Sequence, residues 1–168
     1  WDNGETGREA QKLNYGFNYL TITDSNGCSM VETVNIKKPK LLPELDIAKL
    51  KVGQTLKIDN LFFQADSSTI SSLSHEVLEE VYDFMSDHKN VVIEIGGHTN
   101  SIPPDEYCDR LSTARARTVA EYLYSRGLDD DRISYKGYGK REPIASNDTA
   151  AGRKKNQRVE IKILRLSE

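Results

Sequence analysis

Residues 91–100, Val91-Val92-Ile93-Glu94-Ile95-Gly96-Gly97-His98-Thr99-Asn100, decide the fold. The first five alternate as a half-buried strand does, and the last four make a short polar turn where that strand ends. The next patterned stretch contains Leu111-Ser112-Thr113-Ala114-Arg115-Ala116. Its apolar positions Tyr107, Leu111, Ala114, Val119, Tyr122 and Leu123 predict a helix that starts near Pro104 and ends at Gly127. A strand end and a helix face then meet over one small cleft, with Arg115 beside it. Such a cleft recognises a ligand without catalytic groups, so the chain reads as a binding module.

The remaining elements follow outward from this pair. Leu56-Lys57-Ile58 leading to Leu61-Phe62-Phe63 predicts an earlier strand. Leu73, Val77, Val81, Phe84 and Met85 are spaced by three and four, which places them on one face of a first helix that Ser71, Ser72 or Ser74 could cap. Ile133 to Tyr138 reads as a third strand. The polar stretch from Lys140 to Gln157 is long for a structureless connection and has room for a short helix near Ala150. Val159, Ile161 and Ile163 alternate with Glu160 and Lys162 in a last strand. The order is βαβαββ, an α+β fold with a mixed sheet and two main helices on one face.

Upstream, Asn18 to Thr23 and Val31 to Ile36 flank Asp24-Ser25-Asn26-Gly27, which is a hairpin signal. Lys37-Lys38-Pro39-Lys40-Leu41-Leu42-Pro43 suits an extended connector. The expected division is a small β segment over 1–38, a linker over 39–48 and the main domain over 49–168.

With 168 residues the chain can bury one good core and part of a second. A net charge of -3 argues against a nucleic-acid surface. No apolar run approaches the roughly 20 residues that span a bilayer, and no signal peptide precedes the first strand. The chain opens on Trp1 and reads as cut from a longer protein. Cys28 and Cys108 fall in different segments and are expected to be unpaired thiols, although a partner for Cys28 could lie upstream.

His75 and His88 fall on or beside the polar face of the first helix. His98 is expected to have a structural role, with a ring nitrogen bonded to backbone. No second metal ligand lies at a recognisable spacing, so neither a metal nor a cofactor is expected. There is no nucleophile elbow, phosphate loop or CxxC pair, and Asp105, Glu106 and Asp109 suit the first turns of a helix. An enzyme is not expected. Arg115 borders the apolar stripe, where a guanidinium can hold a carboxylate through two parallel hydrogen bonds. The other reading is a surface arginine paired with Asp109 or Asp130.

Four blocks in order carry a resemblance. They are Phe63 to Ile70, Ile95 to Asn100, Leu111 to Val119 and Gly152 to Glu160, supported by Gly137-Tyr138-Gly139. Residues from about 50 to 164 resemble the OmpA-like C-terminal domain, a bacterial peptidoglycan-binding module. The resemblance implies non-covalent binding of the stem peptide, chiefly its diaminopimelate. In that family the arginine matching Arg115 holds a ligand carboxylate, and an aspartate at the position of Asn100 holds the ammonium. Asp66, Thr99 and Arg158 match further site positions. The implied role is a cell-wall anchor in the periplasm of a Gram-negative bacterium, tethering an outer-membrane, secretion or motility assembly.

Three departures stand together. Asn100 replaces the aspartate, Cys108 a usual asparagine, and Pro103-Pro104 a turn that often carries glycine. A charge-assisted hydrogen bond contributes about 1.5–3 kcal/mol against about 0.5–1.5 for a neutral one, so the exchange at Asn100 costs roughly 5- to 30-fold in affinity unless a nearby acid compensates. Asp66, Asp105 and Asp109 are the nearby acids, and Asp66 or Asp109 is expected to share the ammonium. The alternative is a structural or protein-interaction module that has lost or altered peptidoglycan binding. The first segment, Trp1 through Cys28, resembles the end of a SprB-type repeat, an immunoglobulin-like β module of surface proteins in the Bacteroidota. That likeness implies β repeats ahead of the anchor.

Overall fold

The computed structural model describes residues 1–64 and 66–166. The chain divides into two units, Trp1–Lys40 and Leu41–Glu168. In the first, β1 (Gly16–Thr23) and β2 (Ser29–Ile36) pair antiparallel, with Gly16 opposite Ile36 and Thr23 opposite Ser29. The turn is built by Asp24, whose Oδ1 accepts the N–H groups of Asn26 at 2.9 Å and Cys28 at 2.8 Å. Gly27 supplies the positive φ of +85° that the turn requires.

The break falls within the expected linker, but most of that stretch belongs to the second unit. Leu42 and Leu45 are buried in its core. The Glu80 carboxylate accepts the N–H groups of Leu41 at 2.7 Å and Leu42 at 3.1 Å. The lysines and prolines read as a connector, while the interleaved leucines decide the packing.

The second unit runs β3 (Thr55–Lys57), α1 (His75–Asp87), β4 (Val92–His98), α2 (Asp105–Ser125), β5 (Ile133–Gly139), α3 (Ala150–Asn156) and β6 (Val159–Arg165). The sheet order is β3-β6-β4-β5, with β5 parallel to β4 and β6 antiparallel to β4 and β3. This is the expected mixed sheet with two main helices. Val77, Leu78, Val81 and Met85 of α1, Val119, Ala120 and Leu123 of α2, and Ile93, Ile95, Ile161 and Ile163 of the strands share one core.

Local differences have physical causes. The first strand closes after three residues, and Phe63 makes only an isolated bridge to Ile70. Leu73 is 76% exposed because it lies in a 3₁₀ turn, Ser72–Ser74, ahead of α1, and Leu78 takes its place in the core. Ser74 precedes α1 without a side-chain cap; its hydroxyl is held by the Phe62 backbone. Arg132 is buried and donates to the carbonyls of Met85 and His88 at 2.8 Å each, closing the C-terminal end of α1 with a cation.

The buried ridge of α2 is Cys108, Ser112, Ala116, Val119, Ala120 and Leu123, rotated from the expected stripe. The small residues are there because the helix lies close on the sheet. A Cβ on Gly97 would stand 2.1 Å from the Ser112 carbonyl oxygen, and one on Gly137 would stand 2.1 Å from Thr113 Oγ1. This contact fixes α2 over the ends of β4 and β5. The short helix expected near Ala150 is α3, and its approach is tied down by Asn156. The Asn156 side-chain Oδ1 accepts the N–H groups of Ile144 and Ala145 at 2.9 Å each, and its Nδ2 donates to the Ala145 carbonyl and to Asn147 Oδ1.

Candidate functional site

Where β4 ends, the chain is held on both sides. His98 N–H donates to the Arg158 carbonyl at 2.9 Å and Thr99 N–H to the Gly139 carbonyl at 2.8 Å. That clamp delivers Thr99 and Asn100 to the foot of α2. The rotation of α2 turns Tyr107, Leu111 and Arg115 the same way, since residues four apart share a helix face. Phe63, Gln64 and Asp66 close the third side, with Pro103 and Gln157 at the rim. The cleft between them measures about 260 Å³.

Arg115 is half-buried in this cleft. Its Nε donates to the Ser67 carbonyl at 3.0 Å, and its guanidinium carbon stands 5.0 Å from the centre of the Phe63 ring. Burial pulls the guanidinium below its ordinary value, opposed by Tyr107 and Asp66. Among the described residues no acid is within ion-pair distance of it, and neither Asp109 nor Asp130 is its partner. Asp66 sits in the loop after Phe63 with a φ of +49°, a left-handed conformation that aspartate tolerates better than most residues. Tyr107 donates its hydroxyl to Asp66 at 3.3 Å. Burial pushes the Tyr107 phenol up, and the Asp66 charge adds to the effect.

The other wall is neutral and polar. Thr99 is buried, and its Oγ1 has no hydrogen-bond partner among the described residues. A buried hydroxyl left unmade is costly unless a ligand completes it. Asn100 is buried too; its Oδ1 accepts the Ile102 N–H at 3.0 Å. That bond takes one lone pair of the amide oxygen, so Asn100 offers a ligand its NH₂ group and one remaining lone pair, but no charge.

Four of the six expected site residues therefore come together: Asp66, Thr99, Asn100 and Arg115. Two do not. Asp109 lies outside the cleft, paired with Arg141 at 2.6 and 2.5 Å, and that partner holds its carboxyl below the ordinary value. Asp105 is likewise engaged, by Lys140. Arg158 is a buried internal cation. Its Nε is bonded to Glu160, and its other nitrogens donate to the carbonyls of Asn156 and Glu142 at 3.3 and 3.2 Å. It cannot reach out to a ligand without breaking that network.

His98 belongs to the same network. Its ring stacks on Tyr138 at 5.0 Å, and Nε2 lies 3.3 Å from Glu160 Oε2, so its ring contact is a carboxylate and not the expected backbone group. Burial pushes the Glu160 carboxyl up, but His98 and Arg158 together hold it below its ordinary value. His75 stacks on Tyr122 and His88 packs against Phe84. Cys28 is exposed, Cys108 is buried, and both are free thiols. Among the described residues no cluster of His, Cys, Asp or Glu could hold a metal ion.

Phe63, Gln64, Tyr107, Leu111 and Gln157 line the cleft without having been expected there. The signal for two of them was present, because Tyr107, Leu111 and Arg115 are successive members of one i, i+4 row.

An α+β domain with the order β3-β6-β4-β5, and with its cleft where β4 runs out beside α2, has the architecture of the OmpA C-terminal domain. The chain belongs to the OmpA family, whose model matches residues 62–157. It is 42% identical over 138 residues to outer membrane protein A of Bordetella avium, covering 82% of this chain and 68% of that protein. It is 37% identical over 99 residues to the peptidoglycan-binding protein ArfA of Mycobacterium bovis, covering 59% of this chain and 30% of that one. Of the outer membrane porin F of Pseudomonas fluorescens the chain spans only 35%. Among solved structures, the cell wall anchor of the T6SS from Pseudomonas aeruginosa matches with 31% identity and a TM-score of 0.56, over 68% of this chain and 80% of that one. Among the described residues no helix is long and apolar enough to cross a membrane.

Proposed function

We propose that this chain binds the stem peptide of peptidoglycan non-covalently and anchors an outer-membrane or periplasmic assembly to the cell wall. The observation that carries the reading is Arg115, a half-buried guanidinium with no acid paired to it among the described residues, lining the same cleft of about 260 Å³ as a Thr99 hydroxyl that lacks a hydrogen-bond partner among them. A ligand carboxylate supplies the missing charge to the one and a hydrogen-bond partner to the other. Asp66 is the acid left to take the ammonium of a diaminopimelate residue, because Asp105 and Asp109 already have cationic partners. The membership of the family and the peptidoglycan-binding and cell-wall-anchor relatives support the same reading. The periplasm is the compartment it implies. The hairpin unit fits the end of a SprB-type β repeat carried ahead of the anchor.

Sedimentation with purified sacculi tests this. The wild-type chain is expected in the pellet and Arg115→Ala in the supernatant. A wild-type chain that stays in the supernatant at low salt overturns the reading. It would favour the second one, a module that keeps the fold without wall binding, which the neutral Asn100 supports.

A further inference from the structure

We propose that the broad cleft next to the Arg115 pocket is a second anion subsite, taking a further carboxylate of the same stem peptide; this rests on the reading above. The cleft holds about 520 Å³ between the β3–α1 connection and α3, twice the volume of the Arg115 pocket. Ile58, Leu61 and Phe62 give it an apolar floor, and Lys154 and Lys155 stand on its α3 side. Gln157 lines both clefts, and the loop leading from Phe62 into Phe63 borders one and then the other. The two depressions adjoin.

The charges in this cleft sort into engaged and free. Lys57 is paired with Asp59 at 2.6 Å. Arg158 reaches the wall, but its guanidinium is committed to Glu160, Asn156 and Glu142. Lys154 and Lys155 have neither an ion pair nor a side-chain hydrogen bond among the described residues. In a chain of net charge -3, two ammonium groups without an ion pair among the described residues, on the wall of a cleft that shares Gln157 with the Arg115 pocket, leave a local positive field that a neutral sugar would not use. A peptide seated on Arg115 that runs past Gln157 enters the cleft that Lys154 and Lys155 line, where its next carboxylate meets two flexible cationic side chains. The second residue of a stem peptide, a glutamate with a free α-carboxylate, is the group of that kind nearest the third.

Titration calorimetry of the full chain distinguishes the outcomes, using stem peptides whose second residue is either that glutamate or its amide, isoglutamine, at low and at high salt. The wild type is expected to prefer the acid peptide. The double variant Lys154→Gln, Lys155→Gln is expected to bind the acid peptide about three- to tenfold more weakly, to bind the amide peptide as the wild type does, and to show no more salt dependence on the acid peptide than on the amide peptide. Lys154→Arg with Lys155→Arg is expected to restore the preference. Equal wild-type affinity for the two peptides, or the same loss on both in the double variant, overturns the subsite. An Arg115→Ala variant that binds like the wild type overturns the stem-peptide reading of the Arg115 pocket instead, and a wild type that binds neither peptide overturns both.

Discussion

At Arg115, burial disfavours the charge while Phe63 and the Ser67 carbonyl give it only partial compensation. A cation held in that condition gains most from a bound carboxylate. The same logic separates the acids nearby. Asp66 shares the cleft with Arg115, whereas Asp109 is clamped by Arg141. Asp66→Asn is therefore expected to weaken binding of a diaminopimelate peptide by roughly 5- to 30-fold, and Asp109→Asn to leave it unchanged, both read by calorimetry. Arg158 answers to a different test. Removing one partner of a buried ion pair leaves the other uncompensated, so Arg158→Ala is expected to cost about 3–5 kcal/mol in urea unfolding. Its partner sets a pH dependence. The folded Glu160 carboxyl lies below its ordinary value, so the stability it contributes is complete above the ordinary carboxylate range and is lost as pH falls through the folded value. Glu160→Gln should flatten that acid limb of the stability curve. Arg115 was legible because it borders the apolar stripe of a long helix, and the end of β4 because polar residues follow its alternating run, although the strand runs on through Gly97 and His98, where a turn was expected, and stops before Thr99. The commitment of Arg158 was not read, although Arg158 and Glu160 are two residues apart, a spacing that puts opposite charges on one face of a strand.

The element that matters most to the cleft is α2, and what places it is an absence of side chains. Ser112, Ala116 and Ala120 are buried on its inner face, and Gly97 and Gly137, without Cβ atoms, let Ser112 and Thr113 come close to the sheet. Close approach swings the Tyr107-Leu111-Arg115 row over the end of β4. A helix wheel weighted by apolar bulk misses this, because serine and alanine count for little on it while Tyr107 and Leu111 count for much. The extent of the helix was legible from Pro104 and Gly127; its rotation was not, since rotation is set by the partner surface. Gly97→Ala puts a methyl group 2.1 Å from a backbone carbonyl that cannot swing aside. The variant is expected to lose about 1–3 kcal/mol by thermal unfolding. It should also lose sacculus binding beyond what that destabilisation explains, because His98, Thr99 and Asn100 follow directly on the displaced strand end. If binding persists at wild-type affinity in the folded fraction, the close approach of α2 is not what shapes the cleft.

For the molecule as a whole, the question is where the independently stable part begins. Composition places the start near residue 49, after the lysines and prolines, whereas packing places it at Leu41. The difference is made by a few residues. Leu42 and Leu45 contribute two buried side chains, and the N–H groups of Leu41 and Leu42 satisfy the carboxylate of Glu80 on α1. Burying a leucine is worth about 1.5–3 kcal/mol, so a chain starting at 49 gives up roughly 3–6 kcal/mol from the two leucines alone. It also leaves a glutamate beside newly exposed apolar surface. The total stability of a domain this size is about 5–15 kcal/mol, which makes the loss a large share of it. Fragments 41–166 and 49–166, compared by urea unfolding and by sacculus binding, are expected to differ sharply. The longer should unfold in one cooperative step and pellet with sacculi. The shorter should unfold at markedly lower urea while keeping its affinity in whatever fraction is folded, because none of the cleft residues lies before Phe63. Equal midpoints for the two fragments would show that Leu42 and Leu45 merely rest on a core that is complete without them.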